Sequence, residues 1–456
     1  MRTWYRDEKQ AMAAEKLERF ILEQKWEDFP QKVRERAVAC SVDLIGTMIA
    51  CAGTQMAKKG MALATKIYPQ GDIPVIGAKE RMSMMGAVMA YGYNVNALDL
   101  DDGHNLIKGH PGAVIIAGIL PAALDAGVEY KEFLTALVVG YEIAVRAGLA
   151  LHKYYGFYHG TGSWGAFGAA AAIARLRKAD REILSNALSI ADYQGPLSPV
   201  MRVVAIPSMN KDGIACGALT GAMAVEAAQC GITGRFYNLL EDENQYLIQT
   251  LGRTYEIMNI YFKRYPCCRW AQAPVRAVLE LREKYRLKGE EIKKIKIYTF
   301  RAAVELSSKI PERCDEAQYN IIYPVCVALV KGEFLPVHDS EEFIQKHPQI
   351  IKLMEKVEYE VKEEFESWFP QKRFAQVEVV TDNGRHFISD IVQPWGEKEE
   401  SIGIGEILEK QREVLVHSIR PDVREKILNR LTDEKKHLVW EALVEEINGG
   451  LLRADL

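Results

Sequence analysis

The period of the apolar residues changes once along this chain, and that change constrains its fold more than any single motif. To about residue 265, apolar side chains recur at helical spacing, as in EKLERFILEQKWEDF, VRERAVACSVDLIGTMIACAG and KEFLTALVVGYEIAVRAGLAL. After about residue 285, EEIKKIKIYTF, MEKVEYEVKEEF and FAQVEVVTDNGRHFISDIV alternate apolar and polar residues, the period of a strand with one buried face. Asn383-Gly384 in the last of these favours a tight hairpin turn, and NIIYPVCVALVKG between the strands reads as a short helix. Residues 268 to 396 are therefore expected to form a smaller α/β domain. QPWGEKEESIGIGE, residues 393 to 406, reads as a linker, and a helical pattern then resumes. The pattern alone leaves open whether that tail rejoins the first domain or forms a third.

Composition excludes several classes. The net charge of -4 gives no basic footprint, so nucleic acid is not an expected partner. The 8 cysteines are scattered with no CxxC pair, which signals neither a zinc ribbon nor an iron–sulfur cluster. The N-terminal MRTWYRDEKQAMAAEKLERF is a charged helical pattern rather than a signal peptide. Pro121 and Asp125 break the most apolar stretch, GAVIIAGILPAALDAG, and no segment reads as an unbroken membrane span. A cytoplasmic protein with reduced thiols and no membrane partner is expected. GxxxxGK[ST], GxSxG and HExxH are absent, and Gly403-Ile404-Gly405 lacks a third glycine and a preceding strand. Nucleotide hydrolysis, α/β-hydrolase chemistry and nicotinamide chemistry are disfavoured.

The densest chemistry lies in ALDLDDGHNLIKGHPGAV, residues 97 to 114. Asp99, Asp101, Asp102 and His104 precede His110, and Pro111 then suits the first turn of an apolar helix. His110 is expected at that helix N-terminus, where free N–H groups and the macrodipole favour an anion. A histidine with tunable protonation beside an anion site suits proton abstraction next to a carboxylate. A metal site built from the aspartates and histidines is a competing reading, and a hydrogen-bonded capping cluster is another.

Three further clusters precede or border interior segments. His159 lies in YYGFYHGTGSWGAFGAAAAIARL, just ahead of a helix of small residues. Lys211 lies in MNKDGIACGALTGAMAV, again at the start of such a helix, and is either a carboxylate ligand or an exposed loop lysine. YFKRYPCCRWAQAPVRAV places Lys263, Cys268, Arg269 and Gln272 at the apparent domain boundary, where pockets form. Tyr323 in QYNIIYPVCVAL either donates its hydroxyl or packs.

Taken in order, LDLDDGH…GHPGAVIIAGILPAAL, HGTGSWGAFGAAAAIARL, MNKDGIACGALTGAMAVEAAQCGITG, FKRYPCCRWAQAPVRAV and YNIIYPVCVAL resemble the MmgE/PrpD family. The resemblance implies a mainly α fold: an all-helical domain of residues 1–267 plus 397–456, with an α/β lid of residues 268–396 inserted. It implies a homodimer, a small carboxylate substrate, and a site in the interdomain cleft with no cofactor and no metal. The implied activity is that of a lyase, most simply a dehydratase of a 2-hydroxy di- or tricarboxylate, with an epimerase or decarboxylase as alternatives. The implied catalytic residues are Asp99, His110, His159, Lys211, Lys263 and Tyr323, with His104, Cys268, Arg269 and Gln272 contacting substrate. Gly103 stands where threonine is common in the family, and Cys268 where the decarboxylase resembles a histidine position. Gln272 stands where many relatives have histidine.

Overall fold

A computed structural model describes residues 5–452. The chain is mainly α, as the helical period requires, and its buried apolar side chains fall into two cores. The first core draws on helices from Glu8–Glu23 to Ile214–Gln229, and on the tail helices Ile404–Val414, Pro421–Leu431 and Trp440–Gly450. The tail is anchored by charge as well as by apolar packing. Lys410 donates to the Asp43 carboxylate at 2.6 Å, and both groups are fully buried. Gln411 adds a second hydrogen bond to the same carboxylate at 2.9 Å.

The helix Tyr130–Tyr154 corrects the sequence reading that no segment is apolar and long enough to cross a membrane. By length and hydropathy it is, but 89% of its apolar window is buried inside the protein. Its charged residues Glu142 and Arg146 pair with each other at 2.6 Å in that interior. It is the central strut of the first core.

The glycines of the later helices permit close crossing. Thr161–Leu176 and Ile214–Gln229 meet at Gly162 and Gly217, where a Cβ on Gly162 would lie 2.3 Å from the Gly213 carbonyl oxygen. That contact seats the turn before Ile214, which carries Lys211 and Asp212, against the start of the Thr161 helix. Glycine here is a positioning device for two charged residues.

The second core contains residues from Cys267 to Val392, joined by Val204. Its four-stranded sheet has the order Val357–Val361, Ile292–Thr299, Gln376–Thr381, His386–Ile388. The first pair is parallel, and the other two are antiparallel. Gly384 takes φ +81° in the hairpin turn expected at Asn383-Gly384. The helices Arg269–Tyr285 and Tyr323–Lys331 share this core. The sequence between the strands forms several short helices rather than the single one expected. A two-residue ladder, Gly103 with Tyr261 and His104 with Ile260, ties the aspartate-rich loop to the segment entering the second core.

Candidate active site

His110 is the N-cap of the helix Pro111–Ala126, with Pro111 in its first turn. The acceptor at this helix N-terminus is the protein's own carboxyl group. The Asp102 carboxylate accepts from the Gly112 amide at 3.1 Å and from the Tyr141 hydroxyl. Burial pushes the Asp102 carboxyl up to about 7, against the opposing pull of the Tyr141 hydrogen bond.

The ring of His110 is oriented by the same loop. Its Nδ1 lies 2.8 Å from the backbone oxygen of Asp102. A carbonyl only accepts, so Nδ1 carries the hydrogen and Nε2 holds the lone pair of the neutral ring. Nε2 lies 3.6 Å from Asp99 Oδ1 and 3.8 Å from Asp212 Oδ2. An imidazolium formed when Nε2 takes a proton is thus flanked by two carboxylates. Thr161 bridges the elements: its Oγ1 accepts from the His110 amide at 3.0 Å and donates to Asp212 Oδ1 at 3.2 Å.

Two buried ammonium groups close on this cluster. Lys263 lies 3.2 Å from Asp99 Oδ1 and donates to the Asp99 backbone oxygen at 2.7 Å. Burial alone would raise the Asp99 carboxyl, but Lys263, His110 and Lys211 overcome it and hold the group down to about 2. Burial likewise opposes the Lys263 charge, yet Asp99 and Asp101 raise its pKa, so it remains an ammonium. Lys211 is buried, not an exposed loop lysine, and its ammonium donates to the Asn96 backbone oxygen and to Gln318 Oε1. Asp99 and Lys211 both adopt left-handed backbone, φ +52° and +41°, which L side chains rarely take. Such strain, about 1 kcal/mol or more per residue, gathers where side chains must be aimed. A cavity of about 300 Å³ lined by Asn96, Gly160, Ser198 and Lys211 reaches the cluster from one side. A larger groove of about 850 Å³, along Arg264, Trp395 and Arg412, touches none of these residues.

Of the residues expected from sequence, the structure brings together Asp99, His110, Lys211 and Lys263. His159 is buried with its ring 4.3 Å from Phe157 and 5.3 Å from His152, and neither ring nitrogen has a hydrogen-bond partner. Burial, helped by His152, lowers it to about 4, so the ring is neutral. Tyr323 does not face the cluster: its hydroxyl donates to the His338 backbone oxygen at 2.6 Å inside the second core. Tyr319, the C-cap of the preceding helix Cys314–Gln318, does, with its hydroxyl 3.3 Å from Asp212 Oδ2. Gln272 is committed to backbone, donating to Tyr265 and Cys267 oxygens. Arg269 pairs with Glu397 at 2.7 Å and stacks on Tyr261 at 3.9 Å. His104 Nε2 lies 3.6 Å from Glu256. Cys268 is buried, and its thiol is pushed up to about 12 by that burial and by Asp99, so it stays protonated.

Asp212, Thr161 and Tyr319 were not singled out from sequence. Asp212 had a signal in its adjacency to Lys211; Thr161 and Tyr319 had none beyond proximity to His159 and Tyr323. A metal could find donors in Asp99, Asp101 and His110, whose atoms lie within 4.8 Å of one another. The trio fits one poorly, because Asp99 already holds the Lys263 ammonium and Asp101 accepts from Asn96 at 2.8 Å.

Comparison with known proteins gives the family of the chain. The model of the MmgE/PrpD N-terminal domain matches residues 15–256, and that of the MmgE/PrpD C-terminal domain matches residues 265–434. The chain belongs to the MmgE/PrpD family. The first match ends and the second begins close to the change from the first core to the second, which falls between Phe262 and Cys267. The chain is also 24% identical over 355 residues to the cis-aconitate decarboxylase-like protein oryM of Aspergillus oryzae, covering 69% of this chain and 73% of that protein. Membership in the MmgE/PrpD family supports lyase-type chemistry on carboxylates.

Proposed function

We propose that this protein is a cofactor-independent lyase that removes a proton alpha to a carboxylate of a small di- or tricarboxylate and expels a β-hydroxide. One observation carries the reading: a histidine with its free Nε2 between two carboxylates, beside two buried ammonium groups, one of which has no carboxylate partner among the described residues. His110 Nε2 takes the alpha proton, and Asp99 and Asp212 stabilise the imidazolium that results. Lys211 and Lys263 offset the charge that develops on the substrate carboxylate as the enolate forms. His159, whose neutral ring keeps an N–H free among the described residues, donates a hydrogen bond to the leaving hydroxide. Tyr319 takes the hydroxyl role first assigned to Tyr323.

Decarboxylation is the second reading, favoured by the named relative. It uses the same enolate stabilisation, with carbon dioxide leaving in place of the proton. The α/β unit of residues 268–396 acts as a lid on the helical unit of residues 1–267 and 397–456. A cytoplasmic location is supported by eight free cysteines. A homodimer is supported by the exposed apolar residues Tyr193, Leu197 and Ile206 along one segment.

Proton NMR in deuterium oxide tests the reading, with citrate, methylcitrate, cis-aconitate, malate and aspartate-derived acids as the panel. Vinylic signals from a hydroxy acid are expected. Alpha exchange without alkene would replace the lyase by an epimerase. Carbon dioxide release from an unsaturated acid would favour the second reading.

A further inference from the structure

Arg373 lies just ahead of the strand Gln376–Thr381 and is 2% exposed. Its NH1 donates to the Asn105 side-chain oxygen and to the Pro370 backbone oxygen. Its Nε is buried without a partner. Among the described residues, no carboxylate lies within ion-pair distance of it. Glu397, the acid whose charge it feels, is already held by Arg269 at 2.7 Å and by Asn105 at 2.9 Å. Buried guanidinium groups are normally paired. Here two arginines share one glutamate, and one positive charge is left over.

Lys108 adds a second unpaired cation. It sits in the loop between Asp99 and His110 with φ +52°, and its Nζ lies 3.2 Å from the centre of the Tyr158 ring rather than on a carboxylate. Burial first, and then the charge of Arg373, hold Lys108 down to about 8. Two cations drawn together without an anion repel, and an anion between them would recover that cost.

Their position points to the substrate. Asn105, which holds Arg373, belongs to the same loop as Asp99 and His110. Tyr261, paired with Gly103 across the two-residue ladder, feels Arg269 and Arg373 as well as Lys263 and Asp99. The charges of the cluster and of the unpaired arginine therefore both reach one aromatic ring, and Asn105 ties that arginine to the loop of Asp99 and His110. The free edge of a guanidinium, Nε with the second terminal nitrogen, matches the two oxygens of a carboxylate.

We propose that Arg373 and Lys108 form a second carboxylate subsite, distinct from Lys211 and Lys263, that holds the carboxylate of the substrate farthest from the reacting carbon. The proposal rests on the carboxylate reading above and narrows it: a monocarboxylate leaves this subsite unfilled and is a poor substrate.

Propane-1,2,3-tricarboxylate, which has no β-leaving group, is the probe, and isothermal titration calorimetry is the readout. Wild type and His110→Gln are expected to bind it within about threefold of each other. Arg373→Gln is expected to bind at least about 30-fold more weakly, Arg373→Lys to recover part of the loss, and butanoate binding to be indifferent to both. Lys108→Gln, in a half-buried loop, covers the case in which Arg373→Gln fails to fold, and is expected to weaken binding about fivefold or more. Equal affinity in Arg373→Lys, Lys108→Gln and wild type overturns the subsite, as does a wild type that ignores the probe. The two readings fail separately. Weakened binding in these variants with no deuterium exchange in any acid removes the lyase and keeps the subsite. Unchanged binding with exchange intact does the reverse.

Discussion

Asp99 and Lys263 meet at two points, the ammonium lying 2.7 Å from the aspartate's backbone oxygen and 3.2 Å from its carboxylate. Both side chains are buried, at 1% and 0% exposure. The lysine therefore fixes both the strained backbone of Asp99 and its charge.

Removing one partner should expose that dependence. Lys263→Met leaves a buried carboxylate uncompensated, a loss of about 3–5 kcal/mol. The double variant Lys263→Met, Asp99→Asn should recover much of it, because neither charge remains. Urea unfolding of both variants and of wild type measures this; a single variant within about 1 kcal/mol of wild type would show that the pair is not the anchor.

Asp102 predicts an inverse pH dependence. Its folded carboxyl is raised to about 7, whereas an unfolded aspartate titrates near ~3.9. Between those values the unfolded state sheds the proton and the folded state keeps it, so this group's contribution to stability falls as pH rises and levels off above 7. Asp102→Asn lacks that titration. From pH 5 to 7 the stability difference should move toward the variant by about 2 kcal/mol, and a difference that stays flat would rule out a neutral Asp102.

The two histidines should separate in one NMR experiment. His110→Gln is expected to abolish deuterium exchange at the alpha carbon, a loss of about 10²–10⁴-fold. His159→Gln is expected to retain exchange while losing alkene formation by a similar factor. Matching losses of exchange in both variants would assign proton abstraction to the pair rather than to His110.

Gly103 is packed against Tyr261: an added Cβ would lie 2.3 Å from the phenol oxygen. Gly103→Ala should cost about 1–3 kcal/mol by overpacking, with a fall in turnover as the ring is displaced. Tyr261→Leu in the same chain removes both clashing atoms, Cζ and the phenol oxygen, and should return part of the stability in a thermal melt. Additive losses would mean that the two residues are not coupled.

Much of this arrangement was legible in one dimension. The helical and strand periods located both kinds of element, and the Asn383-Gly384 turn was chemically specified. Asp99, His110, Lys211 and Lys263 announced themselves as charges set against apolar segments. The remainder depended on three-dimensional closure. Nothing near Arg373 in the sequence distinguishes it from the other surface-type arginines, because its neighbours Asn105 and Glu397 are remote in the chain. Tyr319 and Tyr323 lie four residues apart at the end of one short helix and the start of the next, and spacing cannot tell which points to Asp212. Glu142 and Arg146 interrupt the apolar run of helix Tyr130–Tyr154 in one dimension, and only the folded chain shows that they pair with each other.

The two-residue ladder between Gly103–His104 and Ile260–Tyr261 gives the molecule a division of labour. Acid–base groups are carried almost wholly on the helical side, while Tyr319 and Arg373 arrive from the side of the sheet. Under the proposed function, sequence drift in the sheet unit would redraw which acid is admitted while the proton-transfer groups stay untouched, and new specificity would need no new chemistry.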